Sequence, residues 1–268
     1  MKTFTLESGG SVAEIVPERG ALCSRLVLDG EDLLYLDGST LADPAANVRG
    51  GIPVLFPIAG KLPGDAYDGH SMKQHGFARN LPWEPTRTAS GRLECRLDST
   101  DDTLRMFPWV FDAQLVFDLS PTALRLEFAL HNPGDGVLPY QLGFHPYFRV
   151  EDKGTVGVRT EATRAFDNRK AAFTSYAAPD FTAGEVDLHL LDHRGSGTVL
   201  RRGARRAVKL RWSPDFRVMV LWTLPGRDFV CVEPWTAPAG ALASGAGVLQ
   251  VQPGDVHRLA FEITLSSP

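Results

Sequence analysis

The plainest pattern in the chain has a period of two. Ala113, Leu115, Phe117 and Leu119 alternate with polar positions before Ser120-Pro121-Thr122-Ala123, and Leu124, Leu126, Phe128 and Leu130 alternate after it. Such alternation across a short turn predicts a β-hairpin. Leu259, Phe261, Ile263 and Leu265, set against Arg258, Ala260, Glu262 and Thr264, predict a closing strand. Short apolar and β-branched runs bounded by Gly, Pro, Asp or Asn predict further strands at 11–16, 21–28, 92–97, 154–160, 197–201, 207–212, 217–224 and 228–232. Regular strand-turn spacing argues for an all-β sandwich or barrel. No amphipathic helix stands out; the nearest candidates are short turns near Thr40-Leu41-Ala42 and after Glu233. Without an internal repeat, a Gly/Ser linker or a composition shift, residues 1–268 are expected to form a single domain.

Two segments break the alternation. Residues 43–82 are dense in glycine and proline, too broken for regular pairing and too apolar for disorder, which marks an ordered functional loop. Arg201-Arg202-Gly203-Ala204-Arg205-Arg206 reads as a solvated hairpin turn.

Composition narrows the function classes. A net charge of −4 and a pI near 6.0 supply no positive field for a phosphate backbone, so a small neutral substrate is expected and a nucleic-acid partner is not. Cys23, Cys95 and Cys231 are odd in number and lie in strand-like runs, which predicts buried free thiols and a reducing compartment. The N-terminus shows no signal-peptide core, and no stretch approaches the roughly 18 apolar residues of a membrane span. A cytoplasmic location without membrane association follows as an expectation.

Three segments carry candidate chemistry. In Gln141-Leu142-Gly143-Phe144-His145-Pro146-Tyr147-Phe148, a continuous strand would put Gln141, Gly143, His145 and Tyr147 on one face, opposite Leu142, Phe144 and Phe148. Pro146 biases His145 towards an extended backbone, so the imidazole is either a cleft group or a structural histidine at a strand end. In Phe229-Val230-Cys231-Val232-Glu233-Pro234-Trp235-Thr236, Glu233 ends an apolar strand. It is either a surface carboxylate past that end or a partly desolvated one with a pKa raised towards general-base use. In Gln74-His75-Gly76-Phe77-Ala78-Arg79, downstream of Arg49-Gly50-Gly51-Ile52-Pro53, glycines allow close approach to a ligand. The arginines can donate planar forks to hydroxyls or anions, but either an arginine or His75 could instead tie loops to backbone carbonyls, and for Arg79 that is the favoured reading.

Other patterns fail. His189 and His193 have the spacing of a helical zinc pair but lack its Glu and a helical context. There is no Cys-x-x-Cys, Gly-x-Ser-x-Gly, P-loop or dinucleotide fingerprint, so neither a metal nor another cofactor is expected.

With these segments in hand, the chain resembles the galactose mutarotase-like family, the aldose 1-epimerases and their relatives. The matching pieces are Arg49-Gly50-Gly51-Ile52-Pro53-Val54-Leu55-Phe56-Pro57, Gln74-His75-Gly76-Phe77-Ala78-Arg79, Gly143-Phe144-His145-Pro146-Tyr147-Phe148 and Cys231-Val232-Glu233-Pro234-Trp235, in the family's order. The resemblance implies a β-supersandwich and interconversion of sugar anomers by ring opening and reclosure. It implies that Glu233 is the general base at the anomeric hydroxyl and His145 the general acid at the ring oxygen. It further implies that His75 is a second histidine at that oxygen and that Arg49 binds hydroxyls. Asp192, before His193-Arg194-Gly195, is the candidate for the hydroxyl-binding aspartate usual in the family, and Trp222, Trp235 or Tyr147 for an aromatic wall.

The resemblance points to two branches. Arg49-Gly50-Gly51-Ile52-Pro53 and Arg79-Asn80-Leu81-Pro82-Trp83-Glu84 look like the hexose-6-phosphate epimerases, in which Arg49, Lys73 and Arg79 would clamp the phosphate. Glu233-Pro234-Trp235 and Phe56-Pro57-Ile58-Ala59-Gly60-Lys61-Leu62 look like lactose-operon-type mutarotase relatives. Three readings are carried forward: a free-aldose 1-epimerase, a hexose-6-phosphate 1-epimerase, and a catalytically silent sugar-binding module. The sequence leaves the oligomeric state open.

Overall fold

The computed structural model describes residues 1–266. Phe4–Ser8, Ser11–Val16, Leu22–Leu28 and Glu31–Asp32 form an opening four-stranded antiparallel sheet. Two eight-stranded antiparallel sheets make up the body. The first, here termed the support sheet, has the order Val156–Val158, Gly197–Arg202, Arg205–Trp212, Val256–Leu265, Ala123–His131, Asp112–Leu119, Arg92–Asp98, Glu84–Ala89. The second, the site sheet, runs Ala172–Ser175, Arg164–Asp167, Val186–Leu190, Val218–Thr223, Phe229–Trp235, Gly143–Phe144, Val54–Leu55, with Tyr147–Arg149 also paired to Phe229–Trp235.

The expected all-β sandwich therefore forms, and its hairpin has the expected register. Ala113 opposes Leu130, Leu115 opposes Phe128, Phe117 opposes Leu126 and Leu119 opposes Leu124. All eight are buried in one core with Leu259, Phe261 and Ile263 of the closing strand. The inner faces of the sheets meet there: Phe144 of the site sheet stacks on Phe261 of the support sheet at 5.3 Å, and Phe56 packs on Phe128 at 5.4 Å. All three cysteines are free and buried, as expected.

Alternation on the site sheet separates two environments. Val230 and Val232 join the inter-sheet core with Met219 and Leu221. Their neighbours Phe229, Cys231, Val218, Val220 and Trp235 pack into smaller clusters on the other face. Period two thus sends the intervening residues, Glu233 among them, away from the core and towards an open face.

Several expectations need correcting. The Phe229–Trp235 strand runs past residue 232, so Glu233 lies inside it, opposite Val220, rather than at its end. The 141–148 segment is two short strands, Gly143–Phe144 and Tyr147–Arg149, interrupted at His145-Pro146, where the His145 N–H donates to the Pro53 carbonyl instead. A helix at Asp101–Met106 went unpredicted although Thr100 and Thr103 form a reciprocal capping box. The 43–82 segment does contribute a strand, Val54–Leu55. The basic turn is a hairpin, but it is not wholly solvated. The Arg202 side chain is buried and pairs with Glu31 at 2.6 Å, joining the opening sheet to the support sheet.

Candidate active site

A pocket of about 400 Å³ opens on the outer face of the site sheet, towards the small end of the range for small-molecule sites. Its floor is made by Val186–Leu190, Val218–Thr223 and Phe229–Trp235, which supply Asp187 and His189, Val220 and Trp222, and Glu233 and Trp235. Each pair is spaced by two, as side chains on one face of a strand must be. Segment 43–82 closes the other side with Arg49, Gly60, Lys61, Gln74 and His75.

At the centre, His145 Nε2 lies 3.3 Å from Glu233 Oε1, and both side chains are more than 90% buried. The second carboxylate oxygen accepts from the Trp235 indole N–H at 3.0 Å, which fixes the rotamer and leaves Oε1 for other partners. Tyr147 stacks on the His145 ring at 4.7 Å and 15°. Burial raises the Glu233 pKa well above the carboxylate range, opposed by the Trp235 hydrogen bond and assisted by Asp187. Burial, reinforced by the Arg79 charge, lowers His145 to about 3. The pair is thus pushed towards its uncharged form, one proton held on the carboxyl.

His75 is fixed by reciprocal bonds with Gly60. The Gly60 N–H donates to His75 Nδ1 at 3.0 Å, and the His75 N–H donates to the Gly60 carbonyl at 2.8 Å. The ring proton is therefore on Nε2, which faces the Gln74 side-chain amide at 3.2 Å and can donate to it only when the amide turns its oxygen inward. His75 adopts φ +70°, a left-handed conformation uncommon outside glycine. Glycine is required at 60 and at 76. A Cβ would stand 2.6 Å from that of Ala239 at the first and 2.2 Å from the Phe56 carbonyl oxygen at the second, and both have positive φ.

The structure brings Glu233, His145, His75, Arg49 and Trp222 together around the pocket. Tyr147 stands behind His145 rather than on the pocket wall. Arg79 is half-buried outside the lining and donates to the Gln74 carbonyl at 3.0 Å, the backbone-tying arrangement. Lys73 is exposed and away from the wall; Lys61 is the lysine that lines it. Asp192 does not reach the pocket, because its carboxylate is used by the Thr163 N–H, the Thr163 hydroxyl and the Arg164 N–H. The aspartate that lines the pocket is Asp187, which accepts from the Asn168 amide at 2.7 Å and lies 3.1 Å from His189 Nε2. His193 packs elsewhere, on Trp212, so the His189/His193 spacing brings no pair together.

Asp187, His189, Asn168, Glu185 and Lys61 are pocket residues that the sequence reading missed. A signal for two of them was present: in Val186-Asp187-Leu188-His189-Leu190 the polar residues alternate with apolar ones. Among the described residues, one group has metal-ligand atoms clustered within 4.8 Å, namely His145, Cys231 and Glu233. Burial pushes the Cys231 pKa well up, so a thiol rather than a thiolate backs the site.

The antiparallel double sheet is the fold of the galactose mutarotase-like β-sandwiches. The structure of a galactose mutarotase related enzyme from Lactobacillus acidophilus has this fold, with a TM-score of 0.83 at 22% identity over 99% of this chain and 98% of that one. The Slr1438 protein of Synechocystis sp. PCC 6803 superposes with a TM-score of 0.94 at 34% identity, covering 100% of this chain and 96% of that one. The family model described as "Aldose 1-epimerase" matches residues 2–264, and the chain belongs to that family. A relative from Cenchrus ciliaris named "Putative glucose-6-phosphate 1-epimerase" is 28% identical over 252 residues, 83% of this chain and 74% of that protein. No helix among the described residues is long and apolar enough to cross a membrane.

Proposed function

We propose that the protein interconverts the α and β anomers of a free hexose, with Glu233 as general base and His145 as general acid. The observation that carries this reading is the 3.3 Å approach of His145 Nε2 to Glu233 Oε1 on a pocket floor. Two such groups suffice for the chemistry. As the C1–O5 bond breaks and C1=O1 forms, the anomeric hydroxyl proton passes to Glu233 and the His145 proton passes to O5. Rotation about C1–C2 then presents the other face of the aldehyde, and both transfers reverse.

The proton count explains why burial helps. Ring opening proceeds from the minor arrangement of the pair's one proton, carboxylate and imidazolium, and ends in the favoured one, carboxylic acid and imidazole. Desolvation disfavours the charged form of each group, so it favours the double transfer that opens the ring. His75 Nε2–H and Arg49 can donate to sugar oxygens, and Asp187 can accept from hydroxyls. Trp222 offers a ring for the sugar's apolar face.

The test is the relaxation of freshly dissolved α-D-glucose and α-D-galactose by polarimetry. Acceleration above the buffer rate is expected for at least one; none for any common aldose would end the proposal, and calorimetric binding without exchange would indicate a silent sugar-binding module.

A second reading places a hexose 6-phosphate in the same pocket. Arg49 and Lys61 on the wall favour it, in place of the Arg49, Lys73 and Arg79 clamp read from sequence. NMR exchange spectroscopy on glucose and glucose 6-phosphate separates the two. A phosphate preference lost in Lys61→Ala would support the phosphosugar.

A further inference from the structure

The proton transfers assigned to Glu233 and His145 leave one buried neighbour without a task. Cys231 is two residues before Glu233 on the same strand, so both side chains leave the sheet on its outer face. Its backbone pairs with that of Tyr147, whose ring stacks on His145. One ligand atom each from His145, Cys231 and Glu233 falls within 4.8 Å of the other two, and all three residues are buried. An imidazole nitrogen, a sulfur and a carboxylate oxygen are the ligand types that Zn²⁺ takes in tetrahedral sites. The nearest pair already has the required spacing. Two such N and O atoms, each about 2.0–2.1 Å from a tetrahedral ion, stand about 3.3–3.4 Å apart. His145 Nε2 and Glu233 Oε1 are 3.3 Å apart. A sulfur about 2.3 Å from the same ion stands about 3.6 Å from each of them, inside the 4.8 Å that spans the cluster.

We propose that His145, Cys231 and Glu233 form an inhibitory site for a thiophilic divalent cation, Zn²⁺ foremost, with the ion's fourth position open to the pocket. The ion is an inhibitor rather than a cofactor. It occupies the carboxylate oxygen and the imidazole nitrogen between which protons must pass to and from the sugar, and to that extent the inference rests on the epimerase reading. Charge balance suits the exchange. The cluster holds two displaceable protons, one on the thiol and one shared by the carboxyl–imidazole pair. Both leave to solvent as the ion enters, and the two negative charges left behind are neutralised by the cation. The buried group is therefore uncharged with or without the ion, and avoids the cost of a bare buried charge. Mg²⁺, which prefers oxygen ligands and keeps its waters, gains nothing from the sulfur and nitrogen.

Two measurements test the site separately. Calorimetric titration of the chelator-treated protein with Zn²⁺ or Mg²⁺ reads binding without sugar, and polarimetry reads the rate of anomer exchange. Zn²⁺ is expected to bind with proton release and to suppress exchange until a chelator restores it, while Mg²⁺ does neither. Cys231→Ala removes a ligand, so its zinc affinity should fall by more than the about 10–100-fold that loss of a mere supporting partner costs. Exchange by this variant should then persist at zinc concentrations that silence the wild type. Cys95→Ala, in the inter-sheet core, should behave as wild type. Cys231→Ser, expected to show the same loss, serves if the alanine variant does not fold. Wild-type zinc affinity in a folded Cys231 variant overturns the proposal, as does equal inhibition by Mg²⁺. Zinc binding that depends on Cys231 but leaves exchange untouched overturns the inhibitory role. If no aldose is accelerated, the epimerase reading fails and the inhibitory role with it, and calorimetry on the Cys231 variants still upholds or overturns the metal site.

Discussion

The outer faces of the two large sheets arise from the same alternation and end in opposite electrostatic states. On the support sheet, Arg92 pairs with Asp118 at 2.5 Å and Glu94 at 3.0 Å, Arg96 with Asp98 at 2.5 Å and Asp112 at 3.4 Å, and Arg125 with Glu127 at 3.2 Å. Most of these side chains keep a third or more of their surface in water, and the carboxylate bonds raise the pKa of Arg92 and Arg96, favouring charge. On the site sheet, Glu233 and neighbouring His145 face segment 43–82, which brings His75 against them, and burial pushes all three towards their neutral forms. The difference lies in the cover. A polar strand face left to water is a solvated charge ladder; one closed over by an ordered loop holds its titratable groups towards their neutral forms.

The sharpest way to break this comparison is to neutralise one carboxylate on each face. Glu233→Gln is expected to slow anomer exchange on the order of 10³-fold by polarimetry, while Glu127→Gln leaves the rate unchanged. Comparable losses from both would mean that the cover is irrelevant. Next in size is the shared core: Phe128→Ala should cost about 3–5 kcal/mol in urea unfolding with little change in rate per folded molecule.

The pH dependence sharpens the contrast. The working pair carries one proton, so activity falls when a second is added or the first is lost. With His145 lowered to about 3, kcat/KM should show no histidine break near 6.5, and should fall only as pH rises through the raised Glu233 value. A break near 6.5 abolished in His145→Asn would contradict the burial argument. In stability, a raised carboxyl contributes fully below its unfolded pKa and loses that contribution as pH rises through the folded value. Glu233→Gln should therefore gain on wild type with rising pH, by up to roughly 1.4 kcal/mol per unit, in thermal or urea melts. The smallest effect is expected for Arg125→Ala, within about 0.5 kcal/mol, because its ion pair is hydrated.

Legibility followed the physics of each residue. The 113–130 hairpin was readable because the hydrophobic period is local and a one-residue slip would expose it. Glu233 and His145 stood out as polar residues in apolar runs followed by proline. Asp192 was misassigned because nearness to His193 in sequence does not say where a carboxylate points, and past the end of Val186–Leu190 it turns to the Thr163 and Arg164 backbone. Lys73 and Lys61 could not be ranked, since the folding of a long irregular loop decides which of its lysines faces inward.

By itself, then, the sequence determined the alternating faces and the all-β class, because these are written in local spacing, and it made Glu233 and His145 candidates whose roles in proton transfer came from the family resemblance. Only the tertiary structure decided that Glu233 and His145 meet at 3.3 Å, that Asp187 and His189 share their pocket, and that a loop excludes water from them. Those outcomes depend on strand register and on the path of segment 43–82, which bring together residues far apart in the chain and which no local pattern encodes.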